Sequence, residues 1–353
     1  MAVEWVPATS LRFEGRGFSP EQLSTPYDRL PAHAEGVVRQ PVWDLSLHSA
    51  GMVACFRTDS NNINVRWSLR NPSLAMNHMP ASGVSGVDLY HLTPAHGWKF
   101  VRCGIPTQQD ENTAEIRFEG VPTAMRDFML YLPLYNGLTG AEIGVEQGSG
   151  TLLPALPRPM SSSKPVVFYG TSITHGGCAS RPGMAYPAIV GRRMGIPTIN
   201  LGFSGNGRME PEVATLLSQI ADPACFVVDC LPNMNHELVT ENAGGLIDTL
   251  RAAHPSVPIV LAEDRIYTYN HSGLFPESEE RQALNRVALR EVFDKAVAAG
   301  TTGLHYLTAE VQLGEDGEDA VDGSHPTDLG FMRQADALVD ILEPILHTES
   351  ARI

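Results

Sequence analysis

Pro165-Val166-Val167-Phe168-Tyr169-Gly170-Thr171-Ser172-Ile173-Thr174-His175-Gly176-Gly177 joins an unbroken apolar run to a turn that carries a serine. Such a run suits a strand of a parallel sheet covered on both faces. Four similar runs follow: Pro197–Leu201, Cys225–Leu231, Val257–Glu263 and Gly303–Leu307. Helix candidates alternate with them: Met184–Met194, Glu210–Ile220, Glu237–His254, Glu279–Ala299 and Leu329–Leu346. In the fourth, Leu284, Val287, Leu289, Val292, Phe293 and Val297 recur at helical spacing. Five βα repeats predict a doubly wound α/β domain over residues 164–353.

Upstream the pattern changes. Residues 1–150 hold short runs at Gly36–Leu47, Met52–Arg57, Ile63–Ser68, Lys99–Cys103, Thr113–Phe118 and Asp127–Leu132. Several alternate apolar and polar residues, as in Ile63-Asn64-Val65-Arg66-Trp67. Turn residues such as Asn71-Pro72 and Ser82-Gly83 divide them. Short strands with frequent turns predict an all-β sandwich, jelly-roll-like. Leu153-Pro154-Ala155-Leu156-Pro157-Arg158-Pro159 and the serines after it predict a stiff linker over 151–163.

The whole chain has 353 residues, enough for two cores. Its formal net charge of −15 repels phosphate backbones and anionic membranes, so nucleic acid and membrane partners are not expected. A neutral substrate is the simplest expectation. No apolar run approaches the ~20 residues that cross a bilayer. The N-terminal stretch has an early acid, Glu4, and no apolar core, so it does not read as a secretory signal. Five cysteines (Cys55, Cys103, Cys178, Cys225 and Cys230) form no CxxC pair. They fit a reduced, cytoplasmic protein; a secreted form already processed is the alternative. Self-association is compatible with this composition.

In an open parallel sheet, ligands bind beyond the carboxyl ends of the strands. After the first strand stands Ser172, which alone reads as readily as a helix cap. After the second comes Gly202-Phe203-Ser204-Gly205-Asn206-Gly207, whose glycines let backbone N–H groups face a bound oxygen. After the third comes Asn233, an amide able to aim its NH₂ at a developing oxyanion, or simply a turn former after Pro232. Near the end comes Asp322-Gly323-Ser324-His325. Acid and imidazole lie within one turn, so the carboxylate can hold one ring nitrogen while the other faces a serine.

In this order, the residues resemble the SGNH (GDSL-type) hydrolase family. Ser172, Gly205, Asn233 and His325 stand at its four naming positions, and Asp322 matches its acid. The resemblance implies a nucleophile at Ser172, a general base at His325, and an oxyanion hole from the N–H groups of Ser172 and Gly205 with the Asn233 side chain. Gly86-Val87-Asp88-Leu89-Tyr90 is similar to the G-x-D-L-Y signature of a β domain that precedes some SGNH esterases. That pairing implies a two-domain esterase that removes acetyl groups from mono- or oligosaccharides. Two motifs depart from the family: Thr171 replaces an acid beside the nucleophile, and Leu231-Pro232-Asn233-Met234 keeps only the asparagine of Gly-x-Asn-Asp.

Arg265, Tyr267 and Tyr269 follow the fourth strand and are expected either to line the substrate crevice or to form a polar loop with packing tyrosines; His236 near Asn233 is a further crevice candidate. No histidine pair has familiar zinc spacing, so neither a metal nor an organic cofactor is expected. The reading is a serine esterase acting on short acyl esters of carbohydrates. Its rivals are a short-chain ester or thioester hydrolase without sugar preference and a non-catalytic carbohydrate-binding protein.

Overall fold

A computed structural model describes residues 2–159 and 162–350, with the side chains of the last helix described through Leu346. The chain opens with β1 (Val3–Pro7), β2 (Arg12–Glu14) and α1 (Gln40–Ser46). Next come β3 (Val53–Thr58), β4 (Asn62–Leu69), α2 (Ala81–Val84), β5 (Val87–Thr93) and β6 (Gly97–Gly104). Then follow β7 (Asn112–Arg117), β8 (Arg126–Tyr131), β9 (Leu138–Glu146) and β10 (Leu152–Pro154). These strands form two antiparallel sheets, ordered β1-β9-β4-β7 and β10-β3-β8-β5-β6, with β2 alongside β3. Inward residues such as Phe56, Ile63, Val65, Trp67, Leu89 and Phe128 make the sandwich core. The predicted sandwich is therefore present.

The second half is β11 (Val166–Gly170), α3 (Ser172–His175), α4 (Tyr186–Met194), β12 (Thr198–Gly202), α5 (Pro211–Ser218) and β13 (Cys225–Asp229). It ends with α6 (His236–Ala253), β14 (Ile259–Ala262), α7 (Pro276–Ala298), β15 (Leu304–Leu307) and α8 (Asp328–Ser350). The sheet is parallel, in the order β12-β11-β13-β14-β15. Val167, Tyr169, Phe226 and Val228 pack against α5, α6 and α7. Their neighbours Val166, Phe168, Cys225 and Val227 pack against α4 and α8. Both faces are covered, as the continuous apolar runs require.

Three expectations change. The run Gly36–Leu47 holds helix α1, not a strand. Pro41 sits in its first turn, where a missing N–H costs nothing, and Val42 and Ser46 are buried four residues apart, a helical spacing. Moreover, α1 and the segment before it (Phe18, Leu30, Val38, Val42 and Trp43) pack into the core of the α/β domain. The span 1–150 is thus shared between both cores. The proposed linker is partly a strand: Leu152–Pro154 pairs with Phe56–Thr58, and Arg158 forms an ion pair with Glu14 at 2.9 Å. Residues 160 and 161 of that span lie outside the described residues. Lastly, α7 turns Gln282, Asn285 and Leu289 inward and leaves Leu284, Val287 and Val297 exposed. The two amides outrank the valines because they satisfy buried loop groups. Gln282 bonds Asp264, Arg265 and Asn270, and Asn285 donates to the Met234 carbonyl at 2.9 Å.

Two arginines tie residues 1–150 to the second half of the chain. Arg181 forms an ion pair with fully buried Asp88 at 2.9 Å and also bonds the Tyr90 hydroxyl. The Gly183 N–H donates to Asp88 as well, at 3.0 Å. The Asp88 and Tyr90 of the Gly86–Tyr90 motif are therefore a clamp onto the α/β domain. Arg29 is 1% exposed. Its guanidinium donates to four carbonyls: Leu45 (2.6 Å), His48 (3.0 Å), Asn200 (3.1 Å) and Gly202 (2.7 Å). Burial lowers its pKa to about 9, so it remains a cation at neutral pH.

Arg29→Met should destabilise the protein by roughly 2–4 kcal/mol in urea unfolding. Each orphaned carbonyl costs about 1–3 kcal/mol, and losing a buried charge returns part of the sum. A change below about 0.5 kcal/mol, the scale of an ordinary surface substitution, would mean the seam does not need this side chain.

Candidate active site

Ser172 is the first residue of α3, directly past the end of β11. Thr171 is the cap of that helix: its hydroxyl accepts from the Ile173 amide at 3.3 Å. The capping role falls to Thr171, and the Ser172 hydroxyl turns elsewhere. Ser172 Oγ lies 2.8 Å from His325 Nε2, across 153 residues of sequence. His325 Nδ1 lies 2.7 Å from Asp322 Oδ2. The other Asp322 oxygen accepts from the amides of Ser324 (3.1 Å) and His325 (2.8 Å). Burial acts to raise the Asp322 pKa, but these amides and the imidazole outweigh it and hold the carboxyl below its ordinary value. An ionised carboxylate only accepts, so Nδ1 carries the ring proton and Nε2 can accept from the serine hydroxyl. Such an arrangement can raise the nucleophilicity of a serine oxygen.

The next two strand ends close around Ser172. Gly170, Gly202 and Asp229 are aligned at the ends of β11, β12 and β13. The Phe203 N–H donates to the Gly170 carbonyl at 2.9 Å, folding the β12 loop over the end of β11. Gly205 lies in that loop with φ +71. Gly207, which the sequence reading named only as one of this loop's glycines, is the tighter position: a β-carbon there would lie 2.4 Å from the Gly170 oxygen. Its N–H donates to Asn233 Oδ1 at 3.1 Å. That bond settles which way the Asn233 amide faces and leaves Nδ2 as its donor. Arg39 grips the same loop by donating to Asn206 Oδ1 at 2.7 Å and pairing with Glu210.

The expected crevice residues are placed differently. Arg265 is fully buried and bonds both oxygens of Asp229, at 2.8 and 3.1 Å. It is not open to a substrate: a buried carboxylate requires a charged partner, and this arginine is it. Tyr267 is also buried, and its ring meets that of Tyr269 edge-on, with centroids 5.5 Å apart. The Tyr269 ring lies where a side chain on Gly323 would be, 2.2 Å from that β-carbon position, and its hydroxyl pairs with Ser278. The two tyrosines brace the Asp322–His325 turn rather than face a crevice. His236 is an exposed residue at the start of α6, paired with Glu237 at 3.2 Å.

The sandwich domain supplies neighbours that the sequence reading did not single out. His78 lies in the tight turn Met76-Asn77-His78-Met79, which buried Met79 anchors in the α/β core. Its exposed ring meets the His325 ring edge-on, with centroids 5.7 Å apart. Tyr135 donates to the Ser172 carbonyl at 3.1 Å and stacks on buried His175 at 4.1 Å. Burial drives His175 well below its ordinary pKa, so it is a neutral packing residue. Buried Cys178 has its thiol pushed up to about 12, by burial first and then by Asp322, so it is not a ready nucleophile.

A doubly wound sheet with serine, imidazole and carboxylate in one hydrogen-bonded line at its carboxyl edge is the arrangement of a serine hydrolase. The sequence profile of the GDSL-like Lipase/Acylhydrolase family matches residues 163–343, and the chain belongs to that family. The GxDLY domain, the N-terminus of SGNH-hydrolase-type esterases, matches residues 3–150. A protein from Bacteroides ovatus described as a GDSL-like lipase is 31% identical, covers 98% of each chain and superposes with a TM-score of 0.88. A salicylyl-acyltransferase from a tetracycline biosynthetic pathway is 18% identical over 97% of each chain, with a TM-score of 0.74. A family two carbohydrate esterase from Clostridium thermocellum, solved with cellohexaose, is 15% identical. It covers 84% of this chain and 93% of its own, with a TM-score of 0.57. No curated protein matches the chain. Among the described residues, no helix is long and apolar enough to cross a membrane.

Gly207→Ala should push its loop off Gly170 and turn the Asn233 amide. Turnover of p-nitrophenyl acetate should fall by roughly 10- to 100-fold, the cost of misplacing a catalytic group by about 1 Å. Turnover within about twofold of the parent would show that this glycine does not set the site's geometry.

Proposed function

We propose that the protein hydrolyses short acyl esters, chiefly acetyl esters of neutral carbohydrates, through an acyl-enzyme. The observation that carries this reading is the unbroken line from Ser172 Oγ through His325 to Asp322, at 2.8 and 2.7 Å. His325 takes the serine proton as Ser172 attacks the ester carbonyl, then gives it to the departing alcohol. Water, activated by the same imidazole, releases the acid. The N–H groups of Ser172 and Gly205 and the Asn233 amide receive the oxyanion. At the first position of a helix, the Ser172 N–H has no carbonyl of its own helix to bond.

A sugar as leaving group is supported by the polar turn at Asn77 and His78 beside the catalytic histidine, and by the net charge of −15, which favours neutral substrates. The carbohydrate-esterase likeness agrees with it, although it extends to the fold alone. The main rival is a short-chain acyl hydrolase or acyltransferase with no sugar preference. A non-catalytic carbohydrate-binding role leaves the Ser172–His325–Asp322 geometry without a purpose.

Acetylated xylo- and manno-oligosaccharides should be cleaved with higher kcat/KM than p-nitrophenyl acetate, and p-nitrophenyl esters should lose reactivity as the acyl chain lengthens. His78→Ala should raise KM for the sugar acetate roughly fivefold, the worth of one neutral hydrogen bond. The same variant should leave p-nitrophenyl acetate within about twofold, since that ester has no sugar hydroxyl to bond. Equal efficiency on all acetate esters, with no selective effect of His78→Ala, would favour the rival.

A further inference from the structure

Cys178 lies six residues past Ser172, and the proposed chemistry does not use it. Its backbone has φ +73, a left-handed conformation that residues with a β-carbon adopt rarely. The turn around it is tied down: the Gly177 N–H donates to the Ser172 carbonyl at 2.7 Å, and the Ala179 N–H to Gly176 at 3.1 Å. The result places the Cys178 sulfur beside the acid and base of the site. One ligand atom each from Cys178, Asp322 and His325 lies within 4.8 Å of the others. The sulfur is buried, whereas the Asp322 side chain is 42% exposed and open to an arriving ion.

Thiolate, imidazole and carboxylate are the three donors that zinc accepts, with water completing a tetrahedron. Zinc-bonded atoms sit roughly 3–4 Å from one another, given bond lengths of about 2.0–2.3 Å. Only small adjustments separate the present cluster from that arrangement. We propose that Cys178, Asp322 and His325 bind a thiophilic divalent cation, zinc foremost, and that the bound ion switches the esterase off. The switch rests on the reading of His325 as the base; the binding site does not.

The inactivation follows from the ring nitrogens. In the metal-free site Nδ1 carries the proton and faces Asp322, and Nε2 accepts from Ser172. An ion shared with Asp322 takes Nδ1, the nitrogen on that side. The neutral ring then holds its proton on Nε2, which can donate to Ser172 but cannot accept from it. Cys178 releases its S–H proton to solvent, so one proton leaves per ion bound. The two charges of zinc are balanced by thiolate and carboxylate.

The test uses the full chain stripped with EDTA and zinc chloride in a non-chelating buffer. Zinc should suppress p-nitrophenyl acetate hydrolysis by roughly tenfold or more, a chelator should restore it, and magnesium or calcium at the same concentration should have no effect. Cys178→Ser and Cys178→Ala should keep the metal-free activity and need roughly tenfold more zinc for the same suppression. Cobalt supplies a readout that does not depend on activity. One equivalent added to Ser172→Ala should give the near-ultraviolet thiolate-to-cobalt band, and Ser172→Ala/Cys178→Ser should lack it. A cobalt band without zinc inhibition would keep the site and refute the switch. Equal zinc sensitivity in the parent and both Cys178 variants, or no Cys178-dependent cobalt band, would overturn the proposal. So would sensitivity that His78→Ala abolishes and Cys178→Ser preserves, which would place the ion on the exposed side of His325.

Discussion

Gly170, Gly202 and Asp229 lie side by side at the carboxyl ends of three parallel strands, and the site depends on that register. A parallel sheet sends every βα loop out of the same edge. Ser172, the Gly205–Gly207 loop and Asn233 therefore meet without any one loop having to be long. The register is held from within. Asp229 would be costly to bury alone, and Arg265, Tyr186 and Gln334 all bond its carboxylate. Tyr186 in turn pairs with Thr174, two residues past Ser172, at 2.8 Å. A buried charge network thus joins β13 to the short helix that carries the serine.

The first 150 residues are a working part of the site. Arg29 reaches the carbonyls of Asn200 and Gly202 at the end of β12, and Asp88 holds the Arg181 segment downstream of Ser172. Tyr135 bonds the Ser172 carbonyl itself. These contacts fix the turn bearing the serine. The histidine turn is fixed separately by Tyr267 and Tyr269. Serine and histidine thus come from two separately braced turns, which is how a hydrogen bond between residues 153 apart keeps its geometry.

The parallel sheet was legible because a strand buried on both faces must be continuously apolar, and all five runs became strands to within a few residues. Asp322 and His325 were legible as a pair because their contact is local, three residues along one turn. The placements that failed are tertiary. Arg265 stands where a crevice residue should, but the need of Asp229 for a partner buries it, and nothing near Arg265 in sequence announces that need. His78 and Tyr135 were passed over because their partners lie far downstream, and a contact of that range leaves no periodic trace. The inward amides Gln282 and Asn285 displace Leu284 and Val287 from the buried face of α7 for the same reason, since their partners are distant loops, whereas Leu289, Val292 and Phe293 keep the expected side. The Gly86–Tyr90 motif was recognisable as a signature, but its clamp on Arg181 and Gly183 appeared only in three dimensions.

Trapping the nucleophile tests the central claim most directly. A fluorophosphonate reacts with a serine that a neighbouring base has activated. One phosphonyl group per chain is expected, located on Ser172 by peptide mapping, with loss of esterase activity in step with labelling and no label on His325→Ala. A chain that hydrolyses esters while unlabelled, or one whose label lies on another residue, would contradict it.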